Sequence, residues 1–169
     1  HAARMMQAQR RPGSIVNTAS IAGLGGGAGP QAYSAAKAAV INLTRTAAVE
    51  LAAHRIRVNA VNPGAIRTPI IARAPLDTLP GAVQPWPEVG DPRQIASVIH
   101  FLAGDDSGFI TGEDITVDGG TIAAGPRLRA ITDAGSKGLV GVNRGTTGQE
   151  ARLRRRLPPE PPVNDHPRE

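Results

Sequence analysis

Two short β-branched runs frame a helix-length stretch: SIVNTAS at 14–20, then about Gln31 to His54, then RIRVNAVNP at 55–63. Runs rich in Val and Ile, bounded by Pro12-Gly13 and by Pro63-Gly64, read as strands. Between them Ala36, Val40, Leu43, Ala47 and Leu51 recur at intervals of four, three, four and four, the period of one helical face. Two strands joined through a helix of this length pair in parallel, because the helix must carry the chain back along the sheet. Right-handed crossovers are expected.

The flanking segments extend the pattern. Residues 1–10 read as the last turns of a helix, closed by Arg10, Arg11, Pro12 and Gly13 with cations near its negative end. The proline-rich stretch 69–92 reads as loop or short helix. RQIASVIHFLAG, 93–104, reads as a helix that starts from Asp91-Pro92 and stops at Gly104. ITVDGG, 115–120, is a third strand and turn. This alternation predicts an α/β fold, a thin parallel sheet covered by helices, with one edge of SIVNTAS wanting a neighbour. After Ala124 the periodicity dissolves, so the ordered part is expected over 1–125. Residues 126–169 are expected to be a disordered basic tail, with at best a short helix near 149–157.

Composition narrows the function classes. The 169 residues include no cysteine, which excludes disulfides and thiolate metal sites within them. No apolar run is long enough to span a membrane as a helix, and a reducing cytoplasm is the expected compartment. The net charge of +5 divides unevenly. Residues 1–125 hold ten Lys and Arg against nine Asp and Glu, and 126–169 hold nine against five. A nucleic-acid role would therefore fall on RLRRR at 152–156, where a solvated basic tail is the simpler reading.

The glycines from Gly23 to Gly29 raise a choice. Gly23, Gly25 and Ala28 match the spacing G-x-G-x-x-A of a dinucleotide-binding loop. Such a loop opens a helix at once and has an acidic residue at the end of the next strand. Here Pro30 and Gln31 intervene, and the next strand ends in Asn62. A pliable link near a ligand fits better. The same stretch carries Tyr33 and Lys37, one helical turn apart, and Ser20 at the end of the first strand. An ammonium about 5 Å from a phenol, at an effective dielectric near 20, favours the phenolate by about 3 kcal/mol, which suits proton transfer. A hydroxyl such as that of Ser20 is the natural partner for the same substrate oxygen. Taken alone, Y-x-x-x-K on a helix is more often a solvated pair.

The ordered set GSIVNTAS, YSAAK, RVNAVNPGAIRTP and DPRQIASVIHFLAGDDSGFITGEDITVDGG, over about 13–122, resembles the short-chain dehydrogenase/reductase family. The resemblance implies a partial Rossmann-like, doubly wound parallel sheet, comprising its last three strands and their helices. It implies an NAD(P)-dependent oxidoreductase that interconverts a small-molecule alcohol and carbonyl. By resemblance Tyr33 is the general acid/base and also contacts the cofactor, Ser20 orients the substrate oxygen, and Lys37 supports Tyr33 and holds the nicotinamide ribose. Pro63, Gly64, Ile66 and Thr68 occupy positions that line the nicotinamide, with the Ile66 backbone and Thr68 hydroxyl at the carboxamide. Trp86 is read as packing, and Asn59 and Asp118 as structural. The Tyr-to-Lys interval of four favours alcohol/carbonyl chemistry over carbon–carbon double bonds. NAD and NADP are not distinguished.

The family's glycine-rich cofactor loop has no counterpart in these residues, so the chain reads as a carboxyl-terminal half lacking the adenosine-binding part. The alternative is a non-catalytic remnant or interaction module. A homo-oligomer formed through the Tyr/Lys helix is expected, with Ala35, Ala38, Ala39 and Ala47 permitting close approach.

Overall fold

The computed structural model describes residues 1–71 and 84–124. Chain order is α1 (Ala2–Gln9), β1 (Gly13–Thr18), α2 (Gln31–Leu51), β2 (Ile56–Pro63), α3 (Pro92–Ala103), β3 (Asp114–Val117) and α4 (Thr121–Ala124). The expected tail at 126–169, with its helix near 149–157 and its RLRRR run, lies outside the described residues.

The three strands form one parallel sheet in the order β1-β2-β3. Gly13 to Thr18 pair with Ile56 to Val61, and Ala60 to Pro63 pair with Asp114 to Val117. A central strand covered on both faces needs a nearly continuous apolar run. In β2, Ile56, Val58, Ala60 and Val61 are buried accordingly. Its two buried amides are paired through their Nδ2 groups. Asn59 donates to the Ile110 carbonyl at 2.8 Å and accepts from the Glu113 N–H at 3.0 Å, tying the approach to β3. Asn62 donates to Asp114, which also pairs with Arg45 of α2.

The helices lie on opposite faces. Ile41 of α2 packs on Ala19 and Ala60, and Asn17 donates to the Thr44 hydroxyl at 2.9 Å. Ser14 and Arg57 are three residues from Asn17 and Ala60, so they face the other way. There they meet the end of α3: Ser14 Oγ donates to the Leu102 carbonyl at 2.7 Å. The Arg57 guanidinium donates to the carbonyls of Leu102 and Gly104, both at 2.9 Å, and to the Ser107 hydroxyl at 2.8 Å. A cation on the last carbonyls also suits the negative end of the helix.

This corrects one expectation. Both connections, β1 to β2 and β2 to β3, step the same way across the sheet, yet they cross opposite faces, so they have opposite hands. One of them departs from the right-handed rule. That rule reflects compact crossovers in which strand twist feeds directly into the helix. The β2–β3 connection instead runs from 64 to 113 and reaches α3 only at Pro92, with 72–83 of the proline-rich stretch outside the described residues.

Boundaries moved by a few residues. The first strand ends at Thr18: the Ala19 N–H still donates to the Val61 carbonyl at 2.8 Å, and Ser20 then caps a 3-10 turn at Ile21–Gly23. The long helix ends at Leu51 and passes through a 3-10 turn, Ala52–His54, to Arg55 at φ 55°, where the left-handed conformation stops it. α3 starts at Pro92. The Asp91 carboxylate accepts from the Arg93 N–H and the Gln94 side chain accepts from the Asp91 N–H, each at 2.8 Å. The sequence did not anticipate α4. It forms because the Asp118 carboxylate takes the N–H groups of Gly120 and Ile122, both at 2.8 Å.

Candidate functional site

The carboxyl ends of β1 and β2 open into a cleft of about 1480 Å³. Parallel sheets place ligands there, because the strands end and the connecting loops diverge. Ser20, Tyr33, Lys37, Pro63, Gly64, Ile66 and Thr68, all singled out from sequence, line this one cleft.

Each is held by a distinct local cause. Ser20 follows β1 in extended conformation and caps the 3-10 turn, its Oγ accepting from the Ala22 N–H at 3.2 Å. It is 8% exposed. Tyr33 stands in the first turn of α2 and is 44% exposed, a large surface for the only tyrosine in the chain. Lys37 lies one turn on, its Nζ 5.6 Å from the centre of the Tyr33 ring. The same Nζ donates to the Thr18 carbonyl at 2.9 Å. The lysine head is thus tethered to the end of β1 while it reaches over the tyrosine. Lys37 is the only charged residue among the described residues lining the cleft.

The second wall comes from the loop after β2. Gly64 passes so close to Asp118 that a side-chain carbon on it would fall 2.7 Å from the Asp118 Cα. Ile66 forms an isolated parallel bridge with Gly90. That bridge uses the Ala65 carbonyl, at 3.0 Å from the Gly90 N–H, and the Arg67 N–H, at 2.8 Å from the Gly90 carbonyl. Alternation along an extended chain then turns Ile66's own N–H and C=O to the opposite edge. A donor and an acceptor on one residue are what a carboxamide requires.

Trp86 lies elsewhere. It lines a separate cavity of about 120 Å³ with Gln84, Glu88 and Gly119, and its N–H donates to the Gly119 carbonyl at 3.1 Å. The glycine cluster does not lead from strand directly into helix. The 3-10 turn and a loop reaching Pro30 separate β1 from α2, and no side chain caps the α2 amino end. Sequence reasoning missed the Thr18 carbonyl, which carries no side-chain signal. It also missed Ile95 and Ile99 of α3 and Ile122 of α4 on the cleft wall. Their apolar spacing reads equally well as ordinary core.

A family described as enoyl-(acyl carrier protein) reductase matches residues 1–121. The chain is 45% identical over 116 residues to 3-oxoacyl-[acyl-carrier-protein] reductase FabG of Thermotoga maritima, covering 68% of this chain and 47% of that protein. It is 48% identical over 111 residues to the (3R)-3-hydroxyacyl-CoA dehydrogenase of Canis lupus familiaris, covering 64% and 42%. Among solved structures, a short-chain type dehydrogenase/reductase from Mycobacterium ulcerans superposes with a TM-score of 0.68 at 38% identity, covering 73% of this chain and 46% of that one. The structure of 4-hydroxyisoleucine dehydrogenase complexed with NADH superposes with a TM-score of 0.64 at 36% identity, covering 72% and 51%. The chain spans about half the length of the curated relatives it matches.

Proposed function

The chain belongs to the short-chain dehydrogenase/reductase family, and on that premise we propose that it carries the chemical half of a cytoplasmic, NAD(P)-dependent enzyme interconverting an alcohol and a carbonyl. The observation that supports this reading is that Ser20, Tyr33 and Lys37 line one cleft together with Pro63, Gly64, Ile66 and Thr68. Among the described residues none is assigned to the adenosine half of the cofactor, and β1 is an edge strand of the described sheet.

In the reducing direction Ser20 Oγ donates a hydrogen bond to the substrate carbonyl oxygen and holds it against the Tyr33 hydroxyl. Tyr33 passes its phenolic proton to that oxygen as the carbonyl carbon is reduced. The Lys37 ammonium steadies the phenolate left behind. The residues present suit a nicotinamide: the Ile66 amide pair and the Thr68 hydroxyl for its carboxamide, Lys37 for its ribose, and Pro63 and Gly64 for its ring. When bound, the nicotinamide supplies or accepts the hydride. Oxidation runs the same proton path in reverse, with Tyr33 taking the proton from the alcohol.

Relatives named for 3-oxoacyl and 3-hydroxyacyl thioesters make acetoacetyl-CoA the first probe. The full-length protein is expected to oxidise NADH or NADPH with acetoacetyl-CoA and not with crotonyl-CoA, followed by loss of reduced-nicotinamide absorbance. Turnover of crotonyl-CoA alone would replace carbonyl chemistry with the double-bond reduction named in the family description. No turnover with acetoacetyl-CoA or with simple ketones and alcohols would favour a non-catalytic remnant.

We also propose a homo-oligomer built on the outer face of α2. Leu43 is 63% exposed there, on the same face as the exposed Ala35 and Ala39. Light scattering should show the full-length protein as a dimer or larger closed assembly. A monomer would overturn this assembly.

A further inference from the structure

The glycines at 23–29 look like one cluster in sequence, but the structure separates them. A side-chain carbon on Gly25, Gly26 or Gly27 would meet nothing within 4 Å. On Gly23 it would lie 2.7 Å from the Ala38 nitrogen and from the Lys37 carbonyl carbon, and 2.9 Å from the Lys37 oxygen. These are main-chain atoms in the interior of α2, which the helix ladder holds in place. They are not the movable ends of side chains.

The 3-10 turn Ile21–Gly23 therefore rests directly on the peptide that bears Lys37. Its other end is fixed to Ser20. The Ala22 N–H donates to Ser20 Oγ at 3.2 Å, and the Gly23 N–H donates to the Ser20 carbonyl at 2.9 Å. Ser20–Gly23 thus acts as a short strut between the end of β1 and the helix carrying Tyr33 and Lys37. We propose that Gly23 is a positioning residue, whose missing side chain sets the separation between Ser20 and the Tyr33/Lys37 pair. The proposal rests on the reading of those three residues as the reacting groups.

Carbon contacts settle at about 3.5–4.0 Å, so a methyl group at 23 forces the strut back from α2 by roughly 1 Å. A displacement of that size between reacting groups lowers turnover by about 10²-fold. Gly23→Ala and Gly25→Ala are compared in the full-length protein with NADH or NADPH and acetoacetyl-CoA, with Tyr33→Phe measured alongside. The expected result for Gly23→Ala is a kcat lowered by about 10²-fold with the cofactor KM within about threefold, while Gly25→Ala stays within about twofold on both. Amide chemical shifts of Lys37 and Ala38 report the contact without using activity. They should move in Gly23→Ala and stay in Gly25→Ala.

Unmoved shifts, or a Gly23→Ala kcat within about threefold of the parent, would overturn the proposal. So would loss of native circular dichroism in Gly23→Ala, which would assign Gly23 to stability instead of positioning. Full activity in Tyr33→Phe is a separate outcome. It removes the reacting-group reading and the positioning role with it, whatever the amide shifts report.

Discussion

Tyr33→Phe in the full-length protein is expected to lower kcat for acetoacetyl-CoA reduction by about 10²–10⁴-fold, the span usual for a lost general acid. The substitution removes one oxygen and leaves the ring. The ring is 44% exposed at the amino end of α2, with the Lys37 Nζ 5.6 Å from its centre, and both features survive in phenylalanine. Stability should therefore stay within about 0.5 kcal/mol, as for exposed sites away from caps and core. The KM for NADH or NADPH should change little, because the Ile66 amide pair, Thr68 and Lys37 are untouched. Initial rates and a thermal melt on the same preparation check this. A kcat within about threefold of the parent would remove Tyr33 from the chemistry.

The parts legible in the sequence were those written in side chains. The 3.6-residue recurrence through α2, the Val and Ile runs of β1 and β2, and the Asp91-Pro92 start of α3 each impose local structure, and each element formed. The seven candidate residues were singled out through an ordered motif set, and the fold brings all seven to one cleft. The remainder was written in the backbone. The face that α3 covers depends on Arg57 and Ser14 meeting its last carbonyls, and nothing in 92–103 encodes that choice. The orientation of Ile66 follows from its bridge to Gly90, a pairing between residues far apart in sequence. The Thr18 carbonyl that holds Lys37 is available at any residue type. Within the glycine run, only the geometry separates Gly23, pressed on the α2 main chain, from Gly25, Gly26 and Gly27, which face open space.

Lys37→Met should produce a different kinetic signature from Tyr33→Phe, because Lys37 is assigned two tasks. The first is electrostatic. Across about 5 Å the attraction between ammonium and phenolate is near 1 kcal/mol in water and about 3 kcal/mol at an effective dielectric near 20. With Tyr33 nearly half exposed, the lower value describes the open cleft. Bound substrate and cofactor exclude water and raise the interaction toward the higher one, so its loss falls mainly on kcat, by about 10²-fold. The second task is holding the ribose, so the cofactor KM should rise as well, by about tenfold for one charge-assisted hydrogen bond. Tyr33→Phe moves kcat alone, whereas Lys37→Met moves both. Lys37→Arg keeps the charge but puts a planar fork where a compact ammonium reaches the Thr18 carbonyl. It should restore part of the kcat lost in Lys37→Met and less of the KM. Steady-state rates against cofactor concentration for the three variants separate these effects. A Lys37→Met enzyme with unchanged cofactor KM would confine Lys37 to the tyrosine and leave the ribose to other residues.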